Sequence, residues 1–217
     1  MVLAAGRGER LRPLTDRVPK SLVEVQGQSL LERHLESVRA AGITTVVINL
    51  GWLGDRIVER IGSGSRYGLE VIYSQEGDNI LETGGGIHNA LPDLGSEPFL
   101  VVNADIYTDM PVPKLQLADS HLGHLVMVPT PDYREHGDFD IHDGLVRNGE
   151  RPAYTFSGVA IYRPEFFDGC EAGRFPLAPM LREAADRGEL SGSLYEGLWA
   201  DIGTPERLAT LNDQPKN

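Results

Sequence analysis

An α/β fold built on a doubly wound, mostly parallel sheet is what this sequence predicts, and three observations predict it. Short, unbroken apolar runs rich in Val and Ile recur along the chain and are separated by segments with helical spacing, the alternation that generates βαβ units. The runs lack polar alternation, as strands covered on both faces do. Helix start and stop signals fall between the runs rather than within them.

Taken in order, Met1–Ala5 (MVLAA) is the first strand, closed by Gly6 and Gly8. Ser29 with Glu32 three residues on forms a capping box that opens a helix. Leu30, Leu31, Leu35 and Val38 make its apolar stripe, and Gly42 stops it. Thr45–Asn49 is a strand, Trp52–Ile61 a helix and Leu69–Tyr73 a strand. Gly84, Gly85 and Gly86 open the next helix, and Phe99–Asn103 follows as a strand. His124–Val128 and Val159–Tyr162 are further strands, with Asp143-Gly144 a hairpin turn between them. Leu177–Arg187 is helical, and Pro205 stands at the first turn of the last helix. Right-handed crossovers between such strands put ligands beyond their C-terminal ends.

A length of 217 residues suits one domain spanning 1–217. No apolar run approaches the roughly 20 residues of a membrane span, and no basic-then-apolar leader opens the chain, so a cytoplasmic location without a membrane partner is expected. The single cysteine, Cys170, excludes an internal disulfide and a cysteine metal cluster. A net charge of -12 and a pI near 4.9 exclude a nucleic-acid partner, which requires a broad basic face. Local charge decides otherwise for a small anion. Five of the 20 basic side chains (Arg7, Arg10, Arg12, Arg17 and Lys20) fall in one short stretch, and beyond Lys20 the only lysines are Lys114 and Lys216. The expected ligand is a triphosphate.

Gly6 and Gly8, directly after a strand, allow close approach of a phosphate to backbone N–H groups. A dinucleotide fingerprint would need glycine where Leu11 stands, and a P-loop would need glycine immediately before Lys20. What remains is Gly6-x-Gly8-x-Arg10-Leu-x-Pro13-Leu14-Thr15-x-x-x-Pro19-Lys20. This resembles the signature of the sugar-1-phosphate nucleotidylyltransferases, with Glu9 where threonine is common.

The resemblance implies a Rossmann-like, nucleotide-diphospho-sugar transferase architecture without a C-terminal hexapeptide-repeat domain. It implies that Arg10 holds the leaving pyrophosphate and that Lys20 neutralises charge at the α-phosphate. Nucleotide contacts are implied for Leu3, Ala5, Gly6 and Gly8, for Gln75, Glu76 and Gly84 in the base loop, and for Asn103. Phe99–Asp105 and Leu198–Pro205 match the family's metal-binding contexts, which implies Mg2+ on Asp105 and Asp201, a minimal carboxylate pair for that ion. Read alone, Asp105 is a turn residue and Asp201 a helix cap.

Gly137-Asp138-Phe139-Asp140 resembles the hairpin beside the sugar, and Thr155-Phe156-Ser157-Gly158 the strand lining its pocket, so Gly137, Asp138 and Ser157 are implied sugar contacts. Glu150-Arg151-Pro152 lacks the lysine many members carry there, and Arg151 is its candidate replacement. Trp52 reads as core or as a sugar platform, and the histidines at 121, 124, 136 and 142 as solvated loop residues. The implied partners are a nucleoside triphosphate, UTP first, and a sugar 1-phosphate, with the protein a monomer or small homo-oligomer. The Gly8-Glu9-Arg10, Leu81–Gly86 and Thr155–Gly158 segments look most like the branch that joins UTP to N-acetylmuramate 1-phosphate in cell-wall recycling. Guanylyl transfer to mannose 1-phosphate, thymidylyl transfer to glucose 1-phosphate and a catalytically silent nucleotide-sugar-binding subunit are the alternatives.

Overall fold

A computed structural model describes residues 1–77, 80–112 and 117–213; Lys114 and Lys216 lie outside them. In chain order the strands and helices are β1 (Val2–Leu3), β2 (Glu24–Val25), β3 (Gln28–Ser29), α1 (Leu30–Ala40), β4 (Thr45–Leu50), α2 (Gly54–Ile61), β5 (Glu70–Gln75) and α3 (Glu82–Leu94). They continue with β6 (Phe99–Asn103), β7 (Ile106–Thr108), β8 (Gly123–Pro129), β9 (Asp140–His142), β10 (Leu145–Arg147) and β11 (Tyr154–Tyr162). The last elements are α4 (Ala178–Arg187), β12 (Leu190–Leu194), β13 (Trp199–Asp201) and α5 (Pro205–Asn212). No helix among them is long and apolar enough to cross a membrane.

The main sheet has the order β5-β4-β1-β6-β11-β8-β12-β10-β9. β5, β4, β1 and β6 are mutually parallel, with Val2 opposite both Ile48 and Val102. β11 runs against β6 and β8, β12 lies parallel to β8, and the β9–β10 hairpin completes the edge. Only β11 and β10 oppose the common direction of this sheet. The doubly wound expectation therefore holds, with β11 reversed inside it.

Two apolar layers cover the sheet. α1 and α2 place Leu31, Leu35, Val38, Ile57 and Ile61 against Val2, Val46, Ile48 and Leu50. On the opposite face, Ile87 and Ala90 of α3 and Leu181, Ala184 and Ala185 of α4 pack with Val47, Val101, Leu125 and Met127. β4 thus sends alternate side chains into both layers, which is why its sequence shows no polar alternation.

Local chemistry sets the element ends. Ser29 Oγ accepts the Glu32 N–H at 3.3 Å and donates to the Glu32 carboxylate at 2.7 Å, so the cap and its partner lock each other. Thr204 Oγ1 caps α5 through the Arg207 N–H. Asp143 and Gly144 both have positive φ (52° and 75°), the mirror-image turn that a two-residue hairpin requires.

Tyr162 is fully buried among Phe99, Phe166 and Phe167, stacked on Phe166 at 5.1 Å. Its hydroxyl has no hydrogen-bond partner among the described residues, and burial pushes its pKa upward. An orphan buried hydroxyl costs stability. Tyr162→Phe is expected to raise unfolding stability by about 1 kcal/mol in urea denaturation; a loss of stability would show that the hydroxyl is satisfied.

Candidate active site

β1 stops pairing at Leu3, and the Ala4 N–H turns to Asn49 Oδ1 at 2.6 Å. The chain then crosses the C-terminal ends of the parallel strands. Open space surrounds the position a Gly6 side chain would occupy, so the backbone there can be approached closely. Gly8 differs: at φ +62°, a Cβ would lie 2.9 Å from the Thr15 methyl and 3.1 Å from Lys20 Cβ. The loop is folded on itself, with Thr15 Oγ1 donating to the Gly8 carbonyl at 2.7 Å. Leu11 anchors it in a cluster with Val25, Leu30, Ile202 and Leu211. Trp52 supports it from the turn after β4, its indole N–H donating to the Thr15 carbonyl at 3.0 Å with Arg7 stacked 5.4 Å above the ring.

A cavity of about 190 Å³ opens beneath this loop, lined by Leu3, Ala5, Gly6, Lys20, Asn49, Glu76, Glu82, Asn103 and Asp105. Beside it is a wider region of about 850 Å³, lined by Gly6, Arg7, Gly8, Arg10, Lys20, Arg174 and Gly203. The strand-end rule and the glycine-rich loop point to the same place. Of the five clustered basic side chains, however, only Arg7, Arg10 and Lys20 line it. Arg12 pairs with Asp16 at 3.2 Å, and Arg17 lines other grooves. Both lie outside this cleft because successive tight turns at Glu9–Leu11 and Leu14–Asp16 redirect the chain.

Lys20 forms an ion pair with Asp105, just beyond the end of β6. Asp201 closes β13, paired with Ile106 of β7, and the Ile202 N–H donates to the Asp105 carbonyl at 2.8 Å. Strand pairing thus brings together two aspartates 96 positions apart (201 − 105). Asp201 has its own counterions: Arg207 Nη1 lies 2.6 and 2.7 Å from its two oxygens, and the Tyr133 hydroxyl donates to one of them. Burial, the Asp201 bond and the Asp201 charge push the Tyr133 phenol up to about 12, so it remains a donor. Beneath the β6–β7 turn, burial lowers fully buried His34 to about 4, against the opposing effects of an Ile106 backbone bond and the Asp105 charge. His34 is therefore neutral at pH 7.

Several of the sequence candidates hold the cleft in shape. Glu76 is buried, and its two carboxylate oxygens accept from Asn49 Nδ2 at 2.6 Å and from the Leu81 N–H at 2.8 Å. It joins β4, β5 and the start of α3. The three glycines of α3 make room for neighbours: a Cβ on Gly86 would come within 2.6 Å of Glu76 Oε1, and one on Gly84 within 2.6 Å of the Phe175 ring. Gln75 is exposed at the end of β5, its carbonyl accepting from Asn89 at 3.3 Å.

On the other side of the cleft, Ser157 is wholly buried in a β-bulge at Gly158, its hydroxyl accepting the Val159 N–H at 3.1 Å. Gly158 lets Asn103 approach: a Cβ there would be 2.7 Å from Asn103 Nδ2. Asp138 Oδ2 accepts from Arg134 at 3.0 Å and from the Phe156 N–H at 2.9 Å, and the Gly137 N–H donates to the Pro152 carbonyl at 2.7 Å. Arg151, at 79% side-chain exposure, pairs with equally exposed Glu135.

Three residues were not singled out by the sequence. Glu82 begins α3 at φ +61° and is held by Arg174 at 2.7 Å, and Tyr133 and Arg207 hold Asp201. A positive φ at a non-glycine residue has no sequence mark, and neither has a pair 74 positions apart (207 − 133). His124 lies in β8, as the strand expected over His124–Val128 requires and not in a solvated loop, with its ring nitrogens 2.9 Å from Ser191 and Ser193. No group of three His, Cys, Asp or Glu among the described residues could hold a metal ion.

Asn49→Ala would strand both the Ala4 N–H and one Glu76 oxygen. A loss of about 2 kcal/mol in urea-monitored stability is expected, together with weakened nucleoside triphosphate binding; an unchanged midpoint would contradict the bracing role.

The family profile described as Nucleotidyl transferase matches residues 1–139. The chain is 49% identical to the N-acetylmuramate alpha-1-phosphate uridylyltransferase of Neisseria meningitidis serogroup B, over 96% of this chain and 94% of that protein. It is 35% identical to the Caulobacter vibrioides protein of the same name, over 95% of this chain and 92% of the relative. Among solved structures, HddC from Yersinia pseudotuberculosis superposes with a TM-score of 0.79 at 23% identity, covering 98% of this chain and 96% of that one, a likeness of fold. A sheet whose parallel strand ends carry a glycine-rich loop and paired aspartates, and a sequence match along nearly the whole chain, lead to one statement: this chain belongs to the nucleotidyl transferase family.

Proposed function

We propose that this chain transfers the uridylyl group of UTP to N-acetylmuramate α-1-phosphate and releases pyrophosphate. The observation that carries the reading is the 49% identity, over 96% of this chain, with a relative named for that activity. A cleft whose basic side chains stand beside a phosphate-permissive backbone supports it. An oxygen of the sugar phosphate attacks the α-phosphorus in line; that P–O bond forms as the α–β bond breaks, and pyrophosphate leaves. Such a transfer needs positioning and charge neutralisation rather than an enzyme nucleophile.

The donor set suits Mg2+. Asp105, in the β6–β7 turn, and Asp201, at the end of β13, supply hard carboxylate oxygens, and each is now balanced by a cationic side chain whose charge a divalent ion would replace. When bound there, the ion would offset negative charge on the phosphates. Arg10 would hold the departing pyrophosphate. Lys20, released from Asp105, would stabilise charge accumulating at the α-phosphate. Asn103 and the open backbone at Gly6 would meet the nucleotide, with Glu76 acting through the loops it joins. Two phosphorylated substrates fit a cytoplasmic site of action.

Pyrophosphate release with Mg2+, crossing UTP, dTTP, GTP and CTP against N-acetylmuramate, N-acetylglucosamine, glucose and mannose 1-phosphates, tests the pairing. The expected result is a clear preference for UTP with N-acetylmuramate 1-phosphate; preference for another pair would overturn it. With that pair, Lys20→Ala should lower kcat by more than about 100-fold while changing KM less. An effect confined to KM would make Lys20 a ground-state binder.

A further inference from the structure

Asp201 is paired with one guanidinium and has a second nearby. Arg207 holds both of its oxygens, Tyr133 donates to one, and Arg10 stands close by. The point a Gly203 Cβ would occupy is 3.0 Å from Arg207 Nη1, 3.1 Å from Arg10 Nη2 and 3.2 Å from Asp201 Oδ2. Arg207 therefore bonds the carboxylate while Arg10, which does not touch it, faces the same point, at a residue whose missing side chain keeps the space open. Like charges so placed leave room for a further anion.

The two arginines come from different sides. Arg10 belongs to the glycine-rich loop and lines the wider part of the cleft, where the proposed reaction puts the triphosphate. Arg207 rises from the first turn of α5 and lies 3.5 Å over the Tyr133 ring. Tyr133 sits between β8 and β9, in the segment leading to Gly137 and Asp138 on the sugar side of the cleft.

We infer that Arg207 is the cation that receives the phosphate of the incoming sugar 1-phosphate. The inference rests on the reaction proposed above. A divalent ion recruited to Asp201 competes with Arg207 for both oxygens and repels its charge, so the two part when Asp201 is recruited. The freed guanidinium, still stacked on Tyr133, presents a planar fork of donors that matches two phosphate oxygens. Arg10 then serves the leaving pyrophosphate and Arg207 the entering phosphate, at opposite ends of the in-line transfer. Arg151, directed outward to Glu135, takes no part.

The test uses Arg207→Met and Arg207→Lys with two readouts. The first is Mn2+ alone, titrated into the metal-free protein and followed by electron paramagnetic resonance. Loss of Arg207 removes a competitor for Asp201, so Arg207→Met should bind Mn2+ about two- to fivefold more tightly. A residue that merely held Asp201 in place would give weaker or unchanged binding, and that result overturns the inference. The second is steady-state kinetics. KM for the sugar 1-phosphate should rise at least about tenfold, KM for UTP should stay within about twofold, and Arg207→Lys should recover part of the loss. An equal rise in both KM values would also overturn it.

Wild-type turnover in the substrate matrix checks the proposed reaction separately, because the Mn2+ readout needs no substrate. Should Arg207→Met fail to fold, Tyr133→Phe removes one donor to Asp201 while keeping the aromatic platform. It should tighten Mn2+ binding by about twofold, and weaker binding there would equally refute the exchange.

Discussion

The ion pair between Lys20 and Asp105 joins the two parts of the cleft that sequence separates by 85 residues. Lys20 ends the glycine-rich loop, and Asp105 lies in the turn just beyond β6. The loop's inward course depends on Gly8, since any Cβ there would collide with Thr15 and crowd Lys20. The same pair sets the electrostatics. Lys20 is matched by Asp105, Arg207 by Asp201 and Arg174 by Glu82, whereas Arg7 and Arg10 have no ion-pair partner among the described residues. A protein with a net charge of -12 can thereby keep a cleft that attracts phosphate, because local balance outweighs the distant, screened total.

A second layer of interactions keeps the cleft in shape. The Glu76 carboxylate ties Asn49 to the start of α3, and Asn49 in turn holds the Ala4 N–H where β1 leaves the sheet. Gly86 makes that arrangement possible by leaving room beside the carboxylate. On the other side of the cleft, Asp138 and the Ser157–Gly158 bulge do comparable work around β11, and Trp199 donates to the Ser157 carbonyl at 2.9 Å. Buried polar groups that are fully paired specify one arrangement, because losing either partner leaves the other unsatisfied. Motif residues can thus be required for recognition without touching the ligand.

Much of this was legible in the sequence. Unbroken apolar runs identified the buried strands, Ser29 and Glu32 marked the start of α1, and Asp143-Gly144 marked the β9–β10 hairpin. Those signals are local, and local chemistry decides them. The reversal of β11 was not legible, because its apolar content is the same in either direction and only the crossovers choose. Nor could the spread of basic residues be read correctly: Arg10 and Arg12 are two positions apart, yet a tight turn sends one to the cleft and the other to Asp16. The Tyr133–Asp201–Arg207 assembly was invisible because strand pairing and helix docking, not spacing, bring those side chains together.

In the proposed reaction Asp105 engages Lys20 until its charge is needed elsewhere. The most direct test is calorimetric titration of UTP into wild type and Asp105→Asn, with and without Mg2+. Removing the carboxylate frees Lys20 and lifts its repulsion of the triphosphate. Asp105→Asn should bind UTP more tightly than wild type in metal-free buffer and lose the gain that wild type shows on adding Mg2+. Weaker binding by the variant in metal-free buffer would contradict it.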